Sequence, residues 1–441
     1  MKRRGRDIAG VAIQLARGPV LACGGPGTWN WTATPAGARV RPGLRLRADL
    51  PREDAAMAKI LTVLYPDPVD GYPPRYARDE IPVISGYPGG QTAPTPHSLD
   101  FKPGELVGCV SGELGLRPFL EDRGHTLIVT SDKDGPDSVL ERELPDTDVV
   151  ISQPFWPAYL TPDRIRRAPH LKLSITAGIG SDHVDLPSAI EHDVTVAEIT
   201  YSNSISVSEH AVMQILALVH NYLPAHEWVT ARRGWNVADS VSRNYDLEGM
   251  DVGVFGAGRI GLAVLRRLQP FEVELHYNDV HRLPPELERE LGLTWHPDAR
   301  SLAAAVDVLS IHAPLHAKTV NLFDDEMLAT MKRGSYIVNT ARALIVDRDA
   351  VVRALERGHL AGYAGDVWYP EPPEEDHPWR SMPHQGMTPH VSGSTLSAQA
   401  RYAAGVREVL ECWLDSRPIR QEYLIVEGGR LAGTGARSYT V

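Results

Sequence analysis

Apolar and polar residues follow two alternating patterns along the chain from Met57 onward. Short runs rich in β-branched residues predict strands, and between them apolar residues recur at helical spacing. In the first series the predicted strands are KILTVLY, HTLIVTS, DVVISQ, LKLSITAG and VTVAEIT, and the predicted helices are GELGLRPFLEDRG, TPDRIRRA and LPSAIEHD. A second series contains the predicted strands MDVGVFGAG, VELHYND, DVLSIHAP, GSYIVNTAR and AGYAGDVW. This alternation predicts an α/β fold with parallel sheets and crossover helices.

Two longer helical stretches frame the second series. VSEHAVMQILALVHNYL, residues 207–223, precedes it and predicts one long apolar helix. Such a helix is either buried inside the protein or forms the contact between two copies of the chain, and both could hold here. STLSAQARYAAGVREVLECWL follows the series and predicts a helix that returns the chain to the first domain. No repeat with a short fixed period is present, which excludes a solenoid.

Composition narrows the class of protein. The chain has 441 residues, enough for two domains with substantial cores. Its net charge of −11 argues against a nucleic-acid partner, because phosphate backbones attract basic surfaces. Three scattered cysteines are too few for a disulfide framework or a zinc cluster, and they suit a reducing, cytoplasmic location. No apolar run approaches the ~20 residues that span a bilayer, so we expect no membrane segment.

Residues 1–56 differ in charge from the rest of the chain. They hold ten lysines and arginines against four acidic residues, and they show no helical or strand period. Three interpretations compete: an organelle transit peptide, a disordered tail, or a translated leader upstream of the true start. The last two are favoured, because strand patterning begins abruptly after Met57. A transit peptide would instead indicate a mitochondrial location.

The segment DVGVFGAGRIGLAVLRRL carries the strongest local motif. Gly256, Gly258 and Gly261 form G-x-G-x-x-G directly after a predicted strand and at the start of a helix. Glycines there let the backbone approach a pyrophosphate, whose charge the helix N-terminus stabilises. Asp279 ends the next strand, 18 residues past Gly261, where an acid meets the ribose hydroxyls. Asp279 would repel a 2′-phosphate and Val280 offers no cation for one, so the motif predicts NAD as the cofactor.

Many further stretches of residues 57–441 are distinctive together. They are VLYPDPVDGYPPRYARDEIP, YPGGQTAPTP, SQPFWPAYLT, TAGIGSDHVDL, TYSNSISVSEH, GRIGLAVLRRL, YIVNTAR, GYAGDVW, DHPWRSMPHQGMTPHVSG and LAGTGARSY. In these stretches the chain resembles the NAD-dependent formate dehydrogenases, within the D-2-hydroxyacid dehydrogenase superfamily. The extended N-terminal segment and SQPFWP distinguish formate dehydrogenases from the other members.

The resemblance implies an α/β chain of two Rossmann-like domains with parallel sheets. Residues 57–203 and 392–441 would form a discontinuous catalytic domain, and residues 204–391 the NAD-binding domain inserted into it. The active site would lie in the cleft between the two domains. The implied substrate is formate, and the implied assembly is a homodimer that pairs through the NAD-binding domains.

Formate oxidation asks mainly for positioning, because the substrate has no hydroxyl to deprotonate and a hydride leaves its carbon. By resemblance, Arg342 and His390 are the catalytic pair, with His390 as a fixed polar anchor. Asn203 and the Ile179 backbone would orient formate. Taken alone, Arg342 could equally be a surface arginine at a strand end, and Asn203 a helix N-cap. The resemblance also implies an apolar wall around the anion, formed by Ile179, Pro154 and Phe155.

The resemblance assigns a larger set of residues to NAD. Asp366 follows a strand and could accept a hydrogen bond from the nicotinamide carboxamide, or could simply cap a loop. The implied NAD-binding residues outside the glycine motif are Ser204, Arg259, Ile260, Asp279, Pro314, Leu315, His316, Lys318, Thr340, Asp366, His390, Val391, Ser392, Gly393 and Ser438.

Glu371 departs from the family pattern, in which a glutamine usually follows DVWYP. A glutamate facing His390 is the 2-hydroxyacid dehydrogenase arrangement, where the acid raises the basicity of the histidine. Register in PEPPEEDHP could also place another group there. Two alternative functions therefore stay open: a glyoxylate or hydroxypyruvate reductase that uses His390 and Glu371 as acid and base, and a non-enzymatic NAD-sensing corepressor. The formate-specific segments favour formate dehydrogenase over both.

Overall fold

The computed structural model describes residues 57–66 and 113–439, except for the side chains of Arg437 and Ser438. The basic extension, YPGGQTAPTP and most of VLYPDPVDGYPPRYARDEIP lie outside the described residues. The strands are β1 (Lys59–Val63), β2 (Thr126–Thr130), β3 (Val149–Ser152), β4 (Leu173–Thr176), β5 (Thr195–Glu198), β6 (Asp251–Phe255), β7 (Glu274–Asn278), β8 (Leu293–Trp295), β9 (Val308–Ile311), β10 (Ser335–Asn339), β11 (Leu360–Gly365), β12 (Gln385–Met387), β13 (Leu424–Glu427) and β14 (Arg430–Leu431).

The α-helices alternate with these strands in both series. They are α1 (Leu116–Glu121), α2 (Val139–Glu143), α3 (Pro162–Arg166), α4 (Leu186–Glu191), α5 (Ser204–Val219), α6 (Tyr222–Thr230), α7 (Val237–Val241), α8 (Arg259–Leu268), α9 (Pro285–Leu291), α10 (Ala299–Ala305), α11 (Asp325–Thr330), α12 (Arg348–Glu356) and α13 (Leu396–Leu414). Short polar side chains begin many of them. Thr161, Asp185 and Thr395, for example, each accept a backbone N–H from the first turn of the helix that follows.

The strands of the described residues form two seven-stranded sheets. In the first, the order is β2-β1-β3-β4-β5-β13-β14, and β1 to β5 are parallel. In the second, the order is β8-β7-β6-β9-β10-β11-β12, and the pairs are parallel throughout. The predicted α/β fold with two Rossmann-like sheets is confirmed. The hairpin of β13 and β14 is an exception to the parallel pattern, because β13 runs antiparallel to β5.

Both sheets are covered on their two faces. Two apolar clusters contain the strand residues of the first sheet, and α13 packs most of its length into one of them. Two further clusters enclose the second sheet, one of them with α5 and α8. Strands buried on both faces explain the near-continuous apolar runs in the sequence, such as DVVIS and VLSI.

The long helix predicted over residues 207–223 is wrong in its extent. Helix α5 ends at Val219, and α6 begins at Tyr222 after Asn221, whose φ of 50° lies in the left-handed region. A left-handed residue interrupts the hydrogen-bond ladder of a helix, although the apolar pattern continues through it. Ala211, Ile215 and Val219 pack in the core of the second sheet, so this face of α5 is buried within the chain.

The chain crosses between the sheets twice, and the two crossings lie side by side. The first crossing follows β5 and enters α5, and the second follows β12 and enters α13. Ser206 Oγ in α5 lies 2.8 Å from Thr395 Oγ1 at the start of α13. Arg401 Nε in α13 donates to the Ser202 carbonyl at 2.6 Å. Hydrogen bonds therefore tie the first crossing to the second.

Candidate active site

A cavity of about 660 Å³ lies between the carboxyl edges of the two sheets. Its lining includes residues from the loops that follow β3, β4 and β5 in the first sheet and β6, β7, β9 and β10 in the second. In the second sheet, β6 and β9 are the neighbours at which the strand order reverses. Ligands of open α/β sheets bind outside the strand ends at such a switch point.

The turn from β6 to α8 has the geometry of a dinucleotide cradle. Gly256 has a φ of 92°, and a Cβ there would lie 2.5 Å from the Ala313 nitrogen. A Cβ on Gly261 would lie 2.0 Å from the Gly256 carbonyl oxygen, so this glycine lets α8 pack against the turn. A Cβ on Gly258 would meet nothing within 4 Å among the described residues. The space beside Gly258 at the helix N-terminus therefore fits a pyrophosphate.

Polar atoms around the cradle also fit a bound dinucleotide. Arg259 Nε and Ser204 Oγ are buried and have no hydrogen-bond partner among the described residues. Asp279 lines the cavity after β7, where its carboxylate accepts the Ala257 and His281 amides at 2.8 Å each. The acid is thereby fixed in place, and its negative charge faces the end of the cavity where a ribose would bind.

Arg342 is fixed at the other end of the cavity by Asp182. Nη2 and Nε of Arg342 lie 2.6 and 2.8 Å from Asp182 Oδ1, and Nη1 donates to the Ala341 carbonyl at 2.8 Å. Burial raises the pKa of Asp182, but the charge and hydrogen bonds of Arg342 outweigh it and lower that pKa to about 2. Arg342 is not a free surface arginine; it is a half-buried, oriented cation that lines the cavity.

Asn203 occupies the N-cap position of α5, but its side chain makes no capping hydrogen bond. The amide instead lines the cavity, and Asn203 Oδ1 has no partner among the described residues. A Cβ on Gly393 would lie 2.6 Å from Asn203 Nδ2, so the amide packs directly on this glycine. The helix-capping interpretation is wrong for the side chain, which leaves the amide for a ligand.

His390 and Glu371 meet, as the departure at Glu371 allowed. His390 Nδ1 lies 2.6 Å from Glu371 Oε1, which leaves Nε2 as the ring nitrogen for a ligand in the cavity. Burial lowers the pKa of His390, but the Glu371 carboxylate outweighs it through charge and hydrogen bonding, and the net shift is upward. The ring of Phe155 packs edge-on, with centroids 6.1 Å apart.

Asp366 supports the loop that carries His390. Its carboxylate accepts hydrogen bonds from Thr388 Oγ1 at 2.6 Å, the Val391 nitrogen at 2.8 Å and the Ser392 nitrogen at 2.7 Å. Asp366 is fully buried and is not among the residues that line the cavity. The structure thus favours the loop-capping interpretation over a contact with the nicotinamide. These three bonds hold His390 in place at its left-handed φ of 54°.

Most of the residues predicted from the sequence line this cavity. They are Pro154, Phe155, Ile179, Asn203, Gly256, Gly258, Arg259, Ile260, Asp279, Pro314, Leu315, His316, Lys318, Thr340, Arg342, His390, Ser392 and Gly393. Five others, Ser204, Gly261, Asp366, Glu371 and Val391, are not among the lining residues. The side chain of Ser438 lies outside the described residues.

Several polar residues on the cavity lining were not predicted from the sequence. Asp182, in the quoted segment TAGIGSDHVDL, holds Arg342, and an acid paired with it across 160 positions gives no local signal. Glu198 lies within the predicted strand VTVAEIT and ends the observed strand β5, and its burial could not be foreseen. His312 follows β9, and burial lowers its pKa to about 3, so this imidazole is neutral. The other missed residues with polar groups at the cavity include Tyr402 and Tyr439.

Comparisons with known proteins agree with this architecture. The NAD-binding domain of the D-isomer specific 2-hydroxyacid dehydrogenases matches residues 212–392. The chain is 67% identical over 384 residues to a formate dehydrogenase of Pseudomonas sp. (strain 101), covering 87% of this chain and 96% of the relative.

Two solved structures are similar over most of their length. A Granulicella formate dehydrogenase is 66% identical with a TM-score of 0.82, over 86% of this chain and all of that one (100%). The NAD-dependent formate dehydrogenase from Staphylococcus aureus, solved in complex with NAD, is 41% identical with a TM-score of 0.71, over 84% and 99% of the two chains.

Proposed function

The chain belongs to the NAD-dependent formate dehydrogenases, which oxidise formate with NAD⁺, and we propose that the cavity between the two sheets is the site of this reaction. The observation that carries the proposal is the pairing of a fixed guanidinium with a free amide, Arg342 and Asn203, in one cavity with a dinucleotide cradle. The two alternative functions considered from the sequence are not favoured, because the relatives at high identity are formate dehydrogenases.

Arg342 and Asn203 are the proposed formate ligands. The guanidinium presents N–H donors to a carboxylate, and its orientation is already set by Asp182. Formate carries a negative charge that disappears as carbon dioxide forms. A cation with no counter-charge would hold the substrate better than the transition state, which gains nothing for the rate. Asp182 offsets part of the Arg342 charge, so the pair orients formate without overbinding it.

His390 is the proposed fixed polar group on the other side of the anion. Formate gives up no proton, so the reaction does not need a base. The Glu371 contact and the loop held by Asp366 fix the imidazole, and the raised pKa keeps it charged to a higher pH than an ordinary histidine. Pro154, Phe155 and Ile179 form the apolar wall that keeps water from the reacting carbon.

NAD⁺ is the cofactor, and the cradle residues fit it. We propose that Gly256, Gly258 and the amides at the start of α8 hold the pyrophosphate, with Arg259 beside them, and that Asp279 binds the adenosine ribose. When bound, the nicotinamide accepts the hydride from formate. The remaining proposed contacts come from residues that line the same cavity, Ile260, Pro314, Leu315, His316, Lys318, Thr340, Ser392 and Gly393.

A substrate comparison tests the assignment. Reduction of NAD⁺ is followed by absorbance with formate, glycerate and lactate, and deuterated formate is supplied in a separate assay. We expect NADH from formate only, with the deuterium transferred to the nicotinamide ring and a slower rate than with ordinary formate. Turnover of glycerate or lactate above that of formate would favour the hydroxyacid alternative instead.

We also propose that the protein is a homodimer. Large apolar side chains are exposed in one segment of the NAD-binding part, and monomers seldom expose much contiguous apolar surface. They are Met213, Tyr222, Leu223, Val229, Trp235, Val237, Val241 and Tyr245. Light scattering at micromolar concentration should give twice the monomer mass. Trp235→Ser with Val237→Ser should shift it toward the monomer, whereas Phe271→Ser, an exposed apolar residue outside the segment, should not.

The proposed location is the cytoplasm. The three cysteines suit a reducing compartment, and Cys412 is a free, buried thiol. No helix in the described part of the chain has the length and apolarity to cross a membrane. Cell fractionation of the full chain, compared with a chain that starts at Met57, tests the mitochondrial alternative, which requires residues 1–56 to direct import.

A further inference from the structure

The last described turn of the chain reaches into the active site. The 3₁₀ turn Gly435–Tyr439 places the Tyr439 side chain on the cavity lining, beside the loop that follows β4. The Tyr439 hydroxyl accepts the Ser181 backbone N–H at 2.6 Å and donates to Glu198 Oε2 at 3.2 Å. The tyrosine therefore bonds two segments that lie more than 240 positions before it in the sequence.

Glu198 completes the same set of hydrogen bonds. Its side chain is buried at the end of β5, and Oε2 accepts the Gly180 backbone N–H at 3.0 Å and the Ser181 hydroxyl at 3.4 Å. Two consecutive amides of the loop are thus held by a tyrosine and a glutamate that are hydrogen-bonded to each other. Neither contact involves a formate ligand directly.

The loop held in this way, residues 179–182, orients Arg342. Asp182 at its end binds the guanidinium at 2.6 Å, and the Ile179 carbonyl lies 3.5 Å from Nη2. A Cβ on Gly180 would lie 1.7 Å from Nη2, so the guanidinium lies directly on the loop backbone. A displacement of this loop by a few tenths of an ångström must therefore move the guanidinium as well.

We propose that Tyr439 is a positioning residue for formate, which acts by holding the loop of residues 179–182 under Arg342. The inference rests on the proposed function, because it assumes that Arg342 binds formate. A hydroxyl that only anchored the end of the chain would affect stability and leave the formate dependence unchanged. A positioning hydroxyl changes the Michaelis constant for formate more than that for NAD⁺.

The test compares two Tyr→Phe variants of the full chain. Tyr439→Phe removes the hydroxyl in question. Tyr423→Phe is the matched control, because its buried hydroxyl donates to Glu408 at 3.4 Å in the same C-terminal segment but is not on the cavity lining. For both variants we would measure the two Michaelis constants and kcat, the thermal midpoint, and amide hydrogen exchange of peptides that cover residues 178–183 without ligand.

For Tyr439→Phe we expect the KM for formate to rise about 5- to 10-fold, as for the loss of one buried hydrogen bond, with the KM for NAD⁺ changed less than about 2-fold. Exchange at residues 178–183 should become faster in this variant and stay unchanged in Tyr423→Phe. Equal changes in both Michaelis constants, or unchanged exchange, would overturn the proposal. Glu198→Gln keeps an acceptor oxygen, so its KM for formate should lie between those of Tyr439→Phe and Glu198→Ala.

The two hypotheses fail in different ways. If wild-type protein does not oxidise formate, the proposed function fails whatever the exchange data show. If wild-type protein oxidises formate and Tyr439→Phe has the KM for formate of Tyr423→Phe, only the positioning role fails. Tyr439→Phe could also prove less stable than the wild type. If Tyr423→Phe then has an equally lowered thermal midpoint, and hydrogen exchange at residues 178–183 does not differ between the two variants, the positioning role also fails.

Discussion

The two ends of the cavity are built by different means. At the proposed NAD end the site is formed mainly by the backbone: Gly256 and Gly261 allow the close approach, and Gly258 leaves open space at a helix N-terminus. At the proposed formate end the groups are side chains held by other side chains, Arg342 by Asp182 and His390 by Glu371. A backbone site tolerates many side-chain changes, whereas a site of paired charges depends on every partner.

Because the two ends are built differently, substitutions at each end should act in different ways. A substitution in the cradle acts through steric fit, and its effect follows from the free space around each glycine. A substitution among the paired charges leaves a buried group without its partner, which costs more than the contact itself contributed. Substitutions at the two ends should therefore separate binding of NAD⁺ from turnover of formate.

The largest effect is expected for Arg342→Ala at the formate end. It removes the oriented guanidinium and leaves Asp182 unpaired, so kcat/KM for formate should fall at least ~100-fold, while NAD⁺ affinity by calorimetry stays within about 2-fold. Arg348→Ala is the control, because Arg348 is an exposed arginine paired with Asp349 outside the cavity. Near-normal formate turnover by Arg342→Ala would show that another group binds the anion.

Two glycine substitutions sharpen the contrast at the NAD end. Gly258→Ala should leave the thermal midpoint almost unchanged, since its Cβ meets nothing, yet should weaken NAD⁺ binding about 10-fold by filling the space of the pyrophosphate. Gly256→Ala should lower the thermal midpoint as well, because its φ of 92° and the 2.5 Å approach to Ala313 exclude a side chain. If both variants are equally stable, the assignment of strain to Gly256 is wrong.

A smaller change concerns coenzyme choice. Asp279→Ser should relax the preference for NAD⁺ over NADP⁺, by about 10-fold in the ratio of kcat/KM values, because the carboxylate no longer repels a 2′-phosphate. The serine hydroxyl still offers an oxygen that can accept hydrogen bonds from the Ala257 and His281 backbone amides, which limits the loss of NAD⁺ affinity. Equal use of the two coenzymes by the wild type would contradict the role given to Asp279.

The smallest effect on the maximal rate is expected for Glu371→Gln. The amide no longer stabilises imidazolium, so the pKa of His390 falls, and formate oxidation should persist with a flatter pH profile. In the wild type the raised pKa means that the ion pair stabilises the folded state fully below the ordinary histidine pKa and loses this contribution as pH rises through the raised value. The stability difference between the two proteins should therefore shrink at alkaline pH.

Activity profiles of Glu371→Gln and His390→Ala then distinguish the two roles of the histidine. His390→Ala should lose turnover at every pH, because the fixed polar group is gone. Loss of formate oxidation at every pH in Glu371→Gln would mean that His390 needs its acid as a base does, and the hydroxyacid alternative would then explain the site better.

Sequence patterns predicted the features that repeat locally. Ten of the fourteen strands and the glycine turn were predicted from apolar periodicity and spacing, since both depend on neighbours within a few residues, whereas β8 and β12 were not predicted. The break at Asn221 was missed, because the apolar pattern runs through a residue whose left-handed φ gives no such signal. The hairpin of β13 and β14 was not predicted either; β14 has only two residues, too few to show a period, and the antiparallel pairing of β13 with β5 is a tertiary contact without a local signal.

The paired side chains could be predicted only in part. Arg342, His390 and Asn203 came from the family resemblance, and the structure places them on one cavity. Their partners are set by tertiary contacts, so the roles of Asp182 and Glu198 could not be predicted, and the choice between two roles for Asp366 depended on the structure. Of these, Asp366 had a loop-capping interpretation available from the sequence, and its three hydrogen bonds favour it.

The adjacent crossings between the sheets constrain how the cavity can open. The two crossing segments lie side by side and are joined by the contact between Ser206 and Thr395. Rotation of one sheet against the other about a line through these segments would stretch neither of them. Asn203 lies at the first crossing and packs on Gly393 at the second, so it lies on the line itself. Points on a rotation axis move least. Rotation about this line would separate the walls of the cavity and leave Asn203, the proposed formate ligand, close to its present position.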